Sequence, residues 1–232
     1  MPEPVSDVAA RAATRRDAAP TVARGRRSAR TSGDDRELAI LTTAERLLAE
    51  QPLNAISVDD LARGAGISRP TFYFYFASKD AVLLTLLDRV VAEADAAMAA
   101  AETAMASADP RPDEVPRDLW RQAIAAYFDT FRAHRGLTLS WAEARFTNRE
   151  VRELWATVFE GWVTRSAAAI EAERARGAAP AGMPARDLAV ALNSMNERVL
   201  YATLSGDGPA IAEDDVVGVL LEVWLRAIYG TG

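Results

Sequence analysis

The chain has no cysteine, a single histidine (His134) and a single lysine (Lys79). Without cysteine there is no disulfide framework, no thiolate metal site and no cysteine nucleophile, a composition that suits a reducing cytoplasm. One histidine excludes a multi-histidine metal site. A Ser-His-Asp arrangement would have to use His134, and no Gly-X-Ser-X-Gly elbow is present. His134 is expected at the surface or at a helix end, and the pairs Glu171/Glu173 and Asp214/Asp215 as solvated helix charge. No apolar run reaches the ~18 residues of a membrane span. The longest, residues 81–91, is broken by Asp88 and Arg89. The N-terminus also lacks the apolar stretch of a secretory signal. The expectation is a cytoplasmic chain with no cofactor, no metal, no membrane partner and no catalysis.

Aromatic residues make up only 7% of the 232 positions, whereas 48 are alanine, the best helix former. A sheet-based core is therefore disfavoured, and the class should be all-α.

Excess positive charge is missing too: the net charge is −6. Its distribution is uneven. Residues 1–33 carry seven arginines against three acids, a net +4, while residues 34–232 hold 20 basic and 30 acidic groups, a net −10. A basic arm on an acidic body fits an arm that touches a polyanion, and it also fits a solvated tail.

Residues 1–33 show no apolar periodicity and are expected to be disordered. From Asp34 the pattern turns helical, with Leu38, Leu41, Ala44, Leu47 and Leu48 on one face of a helix ending before Pro52. Ser57 with Asp60 marks a capping-box start for a short helix over 58–63, stopped at Gly64-Ala65-Gly66. Ser68 caps a second short helix with Pro70 in its first turn, and Ser78 caps a long one reaching about residue 106. Pro110, Pro112 and Pro116 mark a loop. Further helices are expected over 117–135, 137–146, 149–176, 185–205 and 213–229. The reading gives about nine helices in all.

Two capped helices joined through Gly66 form a helix-turn-helix, because glycine permits a positive φ and a close approach at the turn. Leu61, Ala62, Ile67, Phe72 and Phe76 supply its apolar contacts. That leaves Ser68, Arg69, Thr71, Tyr73, Phe74 and Tyr75 on or near the outer face, where a plain core helix would not place aromatics. The second helix can enter a major groove with its N-terminal side chains at base edges. Arg69 suits guanine, and Thr71 suits a thymine methyl or a phosphate. Tyr73, Tyr75 and Lys79 suit phosphate oxygens. Ser57, at a helix start, offers amides to another phosphate. Arg26, Arg27 and Arg30 stand just ahead, placed to enter a minor groove or lie along the backbone.

Residues 66–83, Gly-Ile-Ser-Arg-Pro-Thr-Phe-Tyr-Phe-Tyr-Phe-Ala-Ser-Lys-Asp-Ala-Val-Leu, resemble the DNA-binding signature of TetR-type one-component regulators. The resemblance extends to one repressor branch of that family through residues 24–41, Glu153-Leu-Trp, residues 169–180, residues 192–198 and Ile228-Tyr-Gly. It implies a three-helix helix-turn-helix DNA-binding domain over 34–80 and a larger helical-bundle domain over 81–232 for ligand binding and dimerisation. It also implies a homodimer that represses from a double-stranded operator and is released by a small apolar ligand.

In the second half, Trp120, Tyr127 and Phe131 recur on one helix face, and Trp155, Phe159, Trp162 and Ser166 on another. Asn193 and Asn196 share a face of a third helix, and Trp224 lies on the last. Aromatic stripes also make plain cores. The asparagines weigh toward a pocket, since buried amides need partners and ligand sites are apolar walls with a few placed polar groups. The resemblance implies that these positions line a narrow aromatic tunnel. It departs at Trp141, Glu143 and Phe146, where the resembled repressors carry smaller residues. Leu188, Leu192, Met195 and Val199, with Val216, Val217, Leu220, Leu221, Trp224 and Ile228, give the last two helices apolar faces. Such faces close a core or pair with a second chain, and the resemblance implies a four-helix dimer interface there. A carrier of apolar or acyl ligands, using the same tunnel without DNA, is the alternative reading.

Overall fold

The computed structural model describes residues 33–107 and 116–230. Those residues form nine α-helices and no strand: α1 (Gly33–Glu50), α2 (Val58–Gly64), α3 (Arg69–Tyr75), α4 (Lys79–Ser107), α5 (Arg117–Ala133), α6 (Arg135–Ala144), α7 (Arg149–Ala175), α8 (Ala185–Ser205) and α9 (Glu213–Tyr229). A short 3-10 turn, Leu53–Ala55, follows α1 and was not expected from the sequence. No described helix is long and apolar enough to cross a membrane.

Local chemistry sets the helix starts. The Ser57 hydroxyl accepts from the Asp60 N–H at 3.1 Å while the Asp60 carboxylate accepts from the Ser57 N–H at 3.1 Å, a reciprocal capping box. Those hydrogen bonds from Ser57 hold the Asp60 carboxyl below its ordinary pKa. Ser68 accepts from the Thr71 N–H at 3.3 Å, with Pro70 in the first turn of α3. Ser78 receives the Ala81 N–H at 3.1 Å, and Asn148 takes the first amides of α7. Gly66 makes the turn between α2 and α3 at φ +67°, a conformation a Cβ would strain.

Ile40, Leu41, Leu48, Leu61, Phe72 and Phe76 are buried against one another and against the first turns of α4, at Val82, Leu83 and Leu86. Removing Phe72 from water stabilises this unit by about 2–3 kcal/mol. Helix α4 continues past it to pack along α5, and α5 packs on α9 while α7 packs on α8. Helix α6 rests on the end of α1 at a tight point, where a Cβ on Gly136 would stand 2.1 Å from the Leu48 carbonyl oxygen. His134 sits between α5 and α6, its ring nitrogen 3.2 Å from a Glu93 oxygen, the helix-end setting expected of it.

Candidate nucleic-acid interface and ligand site

Helix α3 buries Phe72 and turns the opposite side outward. Ser68, Arg69 and Tyr73 are exposed, and Phe74 is 82% exposed. Thr71 and Tyr75 are half-buried at its edges. Arg69 donates to an Asp59 carboxylate oxygen at 3.2 Å and to the Tyr73 hydroxyl at 3.4 Å, with its guanidinium over the Tyr73 ring. The Tyr73 hydrogen bond and then the Asp59 charge raise the Arg69 pKa, so Arg69 is a fixed cation. Ser68 and Thr71 share a hydroxyl–hydroxyl bond of 2.8 Å. The face therefore presents one oriented guanidinium, two hydroxyls and aromatic edges within two helical turns, the side-chain types that read base edges and seat phosphates.

Two expected DNA contacts are engaged elsewhere. The Lys79 ammonium donates to the carbonyls of Leu53 at 2.7 Å and Ile56 at 3.0 Å, closing the 3-10 turn onto the start of α4. In this structure its donors hold the 3-10 turn, and Lys79 is half-buried. Ser57 spends its hydroxyl and its N–H on Asp60, and the first turn of α2 already carries Asp59 and Asp60, which repel an anion. Arg26, Arg27 and Arg30 lie outside the described residues.

Nine of the ten residues expected to line a ligand site fall into two groups, and Phe159 stands apart. Tyr127, Phe131, Trp155 and Trp162 form a continuous ring cluster between α5 and α7, with centroid separations of 5.1 to 6.3 Å. Burial, and secondarily the Glu197 charge, pushes the Tyr127 phenol far above its ordinary pKa, so it stays neutral. The second group lies at α8 and α9. The Trp224 indole N–H donates to the Asn196 carbonyl at 3.0 Å, and Trp224 packs on Trp120 with centroids 5.6 Å apart. Asn193 donates to the Ser166 hydroxyl at 3.0 Å and to the Ala189 carbonyl at 2.8 Å. Phe159 is half-buried and, with Trp155, borders a cavity of about 360 Å³ open to solvent. The cavity also meets Arg145, Phe146, Arg152 and Glu197.

Some of what matters here escaped the sequence. Trp141 stacks on Trp155, centroids 3.9 Å apart, so its bulk adds a wall to the ring cluster. Glu173, expected to be solvated, is 5% exposed. It receives the Tyr229 hydroxyl at 2.6 Å and the Arg176 Nε–H at 2.9 Å, and Tyr229 in turn accepts from the Trp120 indole at 2.8 Å. This network ties the ends of α7 and α9 to the start of α5. Asp95 similarly accepts from Trp162 at 3.0 Å and from Arg165.

On the last two helices, Leu188, Leu192, Val216, Leu220, Leu221, Trp224 and Ile228 are buried within the chain, and Met195, Val199 and Val217 are half-buried. Most of the expected apolar face thus closes the core. The apolar surface left outside is a different set: Val190 on α8, and Val219 and Val223 one turn apart on α9, at 38%, 42% and 39% exposure.

Residues 40–86 match the family "Bacterial regulatory proteins, tetR family", and residues 120–230 match "Transcriptional regulator EthR, C-terminal domain". The chain is 54% identical over 207 residues to the HTH-type transcriptional regulator EthR of Mycobacterium tuberculosis strain H37Rv, covering 89% of this chain and 93% of that protein. Against the EthR of Mycolicibacterium smegmatis the identity is 50% over 208 residues, covering 90% and 93%. The crystal structure of a TetR-like transcriptional regulator from Rhodococcus sp. RHA1 shares the fold at 20% identity and TM-score 0.62, covering 84% of this chain and 97% of that one. The capped helix-turn-helix with its outward Arg69, Tyr73 and Phe74 and the helical body behind it therefore place this chain in the TetR family of helix-turn-helix transcriptional regulators.

Proposed function

We propose that the chain is a sequence-specific transcriptional repressor, released from its operator when a small apolar ligand occupies the aromatic site. The observation that carries this reading is the outer face of α3, where Phe74 and Tyr73 stand in solvent beside Arg69. Rings so exposed on a seven-residue helix bury little surface, and they fit a helix that docks in a major groove. Residues 34–80 serve as the reader, with Ser68, Arg69, Thr71, Tyr73, Phe74 and Tyr75 at the DNA. The arm arginines Arg26, Arg27 and Arg30 lie along the minor groove or the phosphates. Residues 81–232 serve as the sensor, holding the ligand among Trp120, Tyr127, Phe131, Trp155, Phe159, Trp162, Ser166, Asn193, Asn196 and Trp224.

TetR-family regulators are dimers, and α8 and α9 supply the pairing surface in this reading. Two-fold symmetry then sets two α3 helices on a palindromic operator, about one DNA turn or a multiple apart. A ligand that favours one separation of the two readers weakens DNA binding, and DNA weakens the ligand by the same factor.

The test is a fluorescence-anisotropy titration on duplex DNA from the chain's own promoter region, across a salt series and with apolar ligands added. Specific binding that weakens steeply with salt is the expected result. Arg69→Ala and Tyr73→Ala should abolish it while ligand binding persists. Absence of specific binding at low salt overturns the repressor reading in favour of a ligand carrier.

A further inference from the structure

The cavity bounded by Trp155, Phe159 and Phe146 is lined mainly by apolar surface, and Arg145, Arg152 and Glu197 complete its lining. Arg145 caps the C-terminal end of α6 and pairs with Glu197 of α8. Its guanidinium lies 5.6 Å from the Trp141 ring centroid and 5.2 Å from that of Phe146. Yet its Nε–H is buried with no acceptor among the described residues, and so is the indole N–H of Trp141. Arg152, on the same cavity, has no ion-pair partner among the described residues. Two guanidiniums therefore face one carboxylate in this lining. Buried donors without acceptors cost free energy, and a cavity with apolar walls and a few placed polar groups suits a ligand that supplies an acceptor.

Resting on the pocket reading above, we propose that the effector is an amphipathic monocarboxylic acid. Its aryl or alkyl body lies against Trp155, Phe159 and Phe146, and its carboxylate meets Arg152 and Arg145. The charge count selects the class. One carboxylate balances the surplus guanidinium, whereas a dianion leaves a net negative charge, and a cation meets a Glu197 already taken by Arg145. The position also connects to the reader. Arg145 ends α6, and the other end of α6 is the Gly136 contact on α1. A carboxylate drawing Arg145 from Glu197 acts on a helix that touches the DNA-binding unit directly.

Calorimetric titration of the full chain with phenylbutyrate, phenylbutanol and phenylbutylamine tests this, because the three probes share a body and differ in charge. The acid should bind at least about tenfold tighter than the alcohol, since charge-assisted hydrogen bonds outweigh neutral ones. In Arg152→Gln, whose side chain is exposed on α7, the acid-to-alcohol ratio should fall to about one. The acid should also displace operator DNA at lower concentration than the alcohol. Equal affinity of acid and alcohol in the unaltered chain, or a preference for the amine, overturns the carboxylate assignment and leaves the pocket standing. If none of the three binds while operator binding is intact, the pocket reading falls and the assignment with it.

Discussion

Arg69 of α3 is held by Asp59 of α2, Nη1 to Oδ2 at 3.2 Å, and the same guanidinium leans on the Tyr73 ring. Asp59 thereby orients the side chain proposed to read a base, but it also competes for it and adds negative charge beside the phosphates. Both members are exposed, so the pair itself contributes little stability. Asp59→Asn should therefore raise operator affinity about threefold at low salt, an effect that fades as salt rises. Arg69→Ala should lower it about ten- to a hundredfold and flatten discrimination at one base position. Anisotropy titrations of both variants on the operator and on a scrambled duplex separate the two effects.

The contact of Gly136 with Leu48 predicts a second outcome. A Cβ there meets the Leu48 carbonyl oxygen at 2.1 Å and the Ala49 nitrogen at 2.8 Å, and backbone atoms cannot rotate away as a side chain would. Gly136→Ala must push α6 off α1. The expected cost is about 1–3 kcal/mol, and the altered seating of α1 should change operator affinity even without ligand. Urea unfolding reads the first effect and anisotropy the second. A variant with unaltered stability and unaltered operator affinity would show that the junction does not couple the two ends of α6.

Tyr229 links Glu173 to Trp120, and its removal leaves the Trp120 N–H without its acceptor and one Glu173 oxygen without its hydroxyl donor. Tyr229→Phe should cost about 1–3 kcal/mol, because the partners stay buried. Glu173→Ala should cost more, since it removes the acceptor of the Tyr229 hydroxyl and of the Arg176 Nε–H together and leaves a cavity in their place. Denaturant unfolding of both variants gives the comparison, and a larger loss in Tyr229→Phe than in Glu173→Ala would contradict this ranking.

The same network shows where a sequence stops speaking. Helix starts were legible because their signals are local: Ser57 with Asp60, Ser68 with Thr71, and Asn148 with Glu150 and Val151 carry their partners within one turn. The outward face of α3 was legible for the same reason, as Phe72 and Phe76 claim the core side of a helix only two turns long. Glu173 was misread because its local surroundings, Glu171, Arg174 and Arg176, look like a solvated helix face. What buries it is Tyr229, which arrives 56 residues later. The bonds that Lys79 makes to the 3-10 turn were hidden for a similar reason, since those carbonyls lie more than twenty residues upstream. Arg145 and Glu197 pair across 52 residues, so the charged part of the cavity lining could not be seen from spacing.

The apolar faces of α8 and α9 give the last prediction. Periodicity alone cannot say which side of an apolar helix faces inward when small residues occupy both sides. The fold sends Leu188, Leu192, Leu220, Leu221 and Trp224 to the core and leaves Val190, Val219 and Val223 in solvent. These exposed valines are the apolar surface of α8 and α9 on which the proposed dimer depends. Val223→Glu places a charge on that surface, while the buried residues beside it keep the monomer folded. The variant should sediment as a monomer at concentrations where the unaltered chain is a dimer. Its operator affinity should fall sharply, because each half-site is then bound without its neighbour. A dimer that survives Val223→Glu would place the pairing surface elsewhere on the chain.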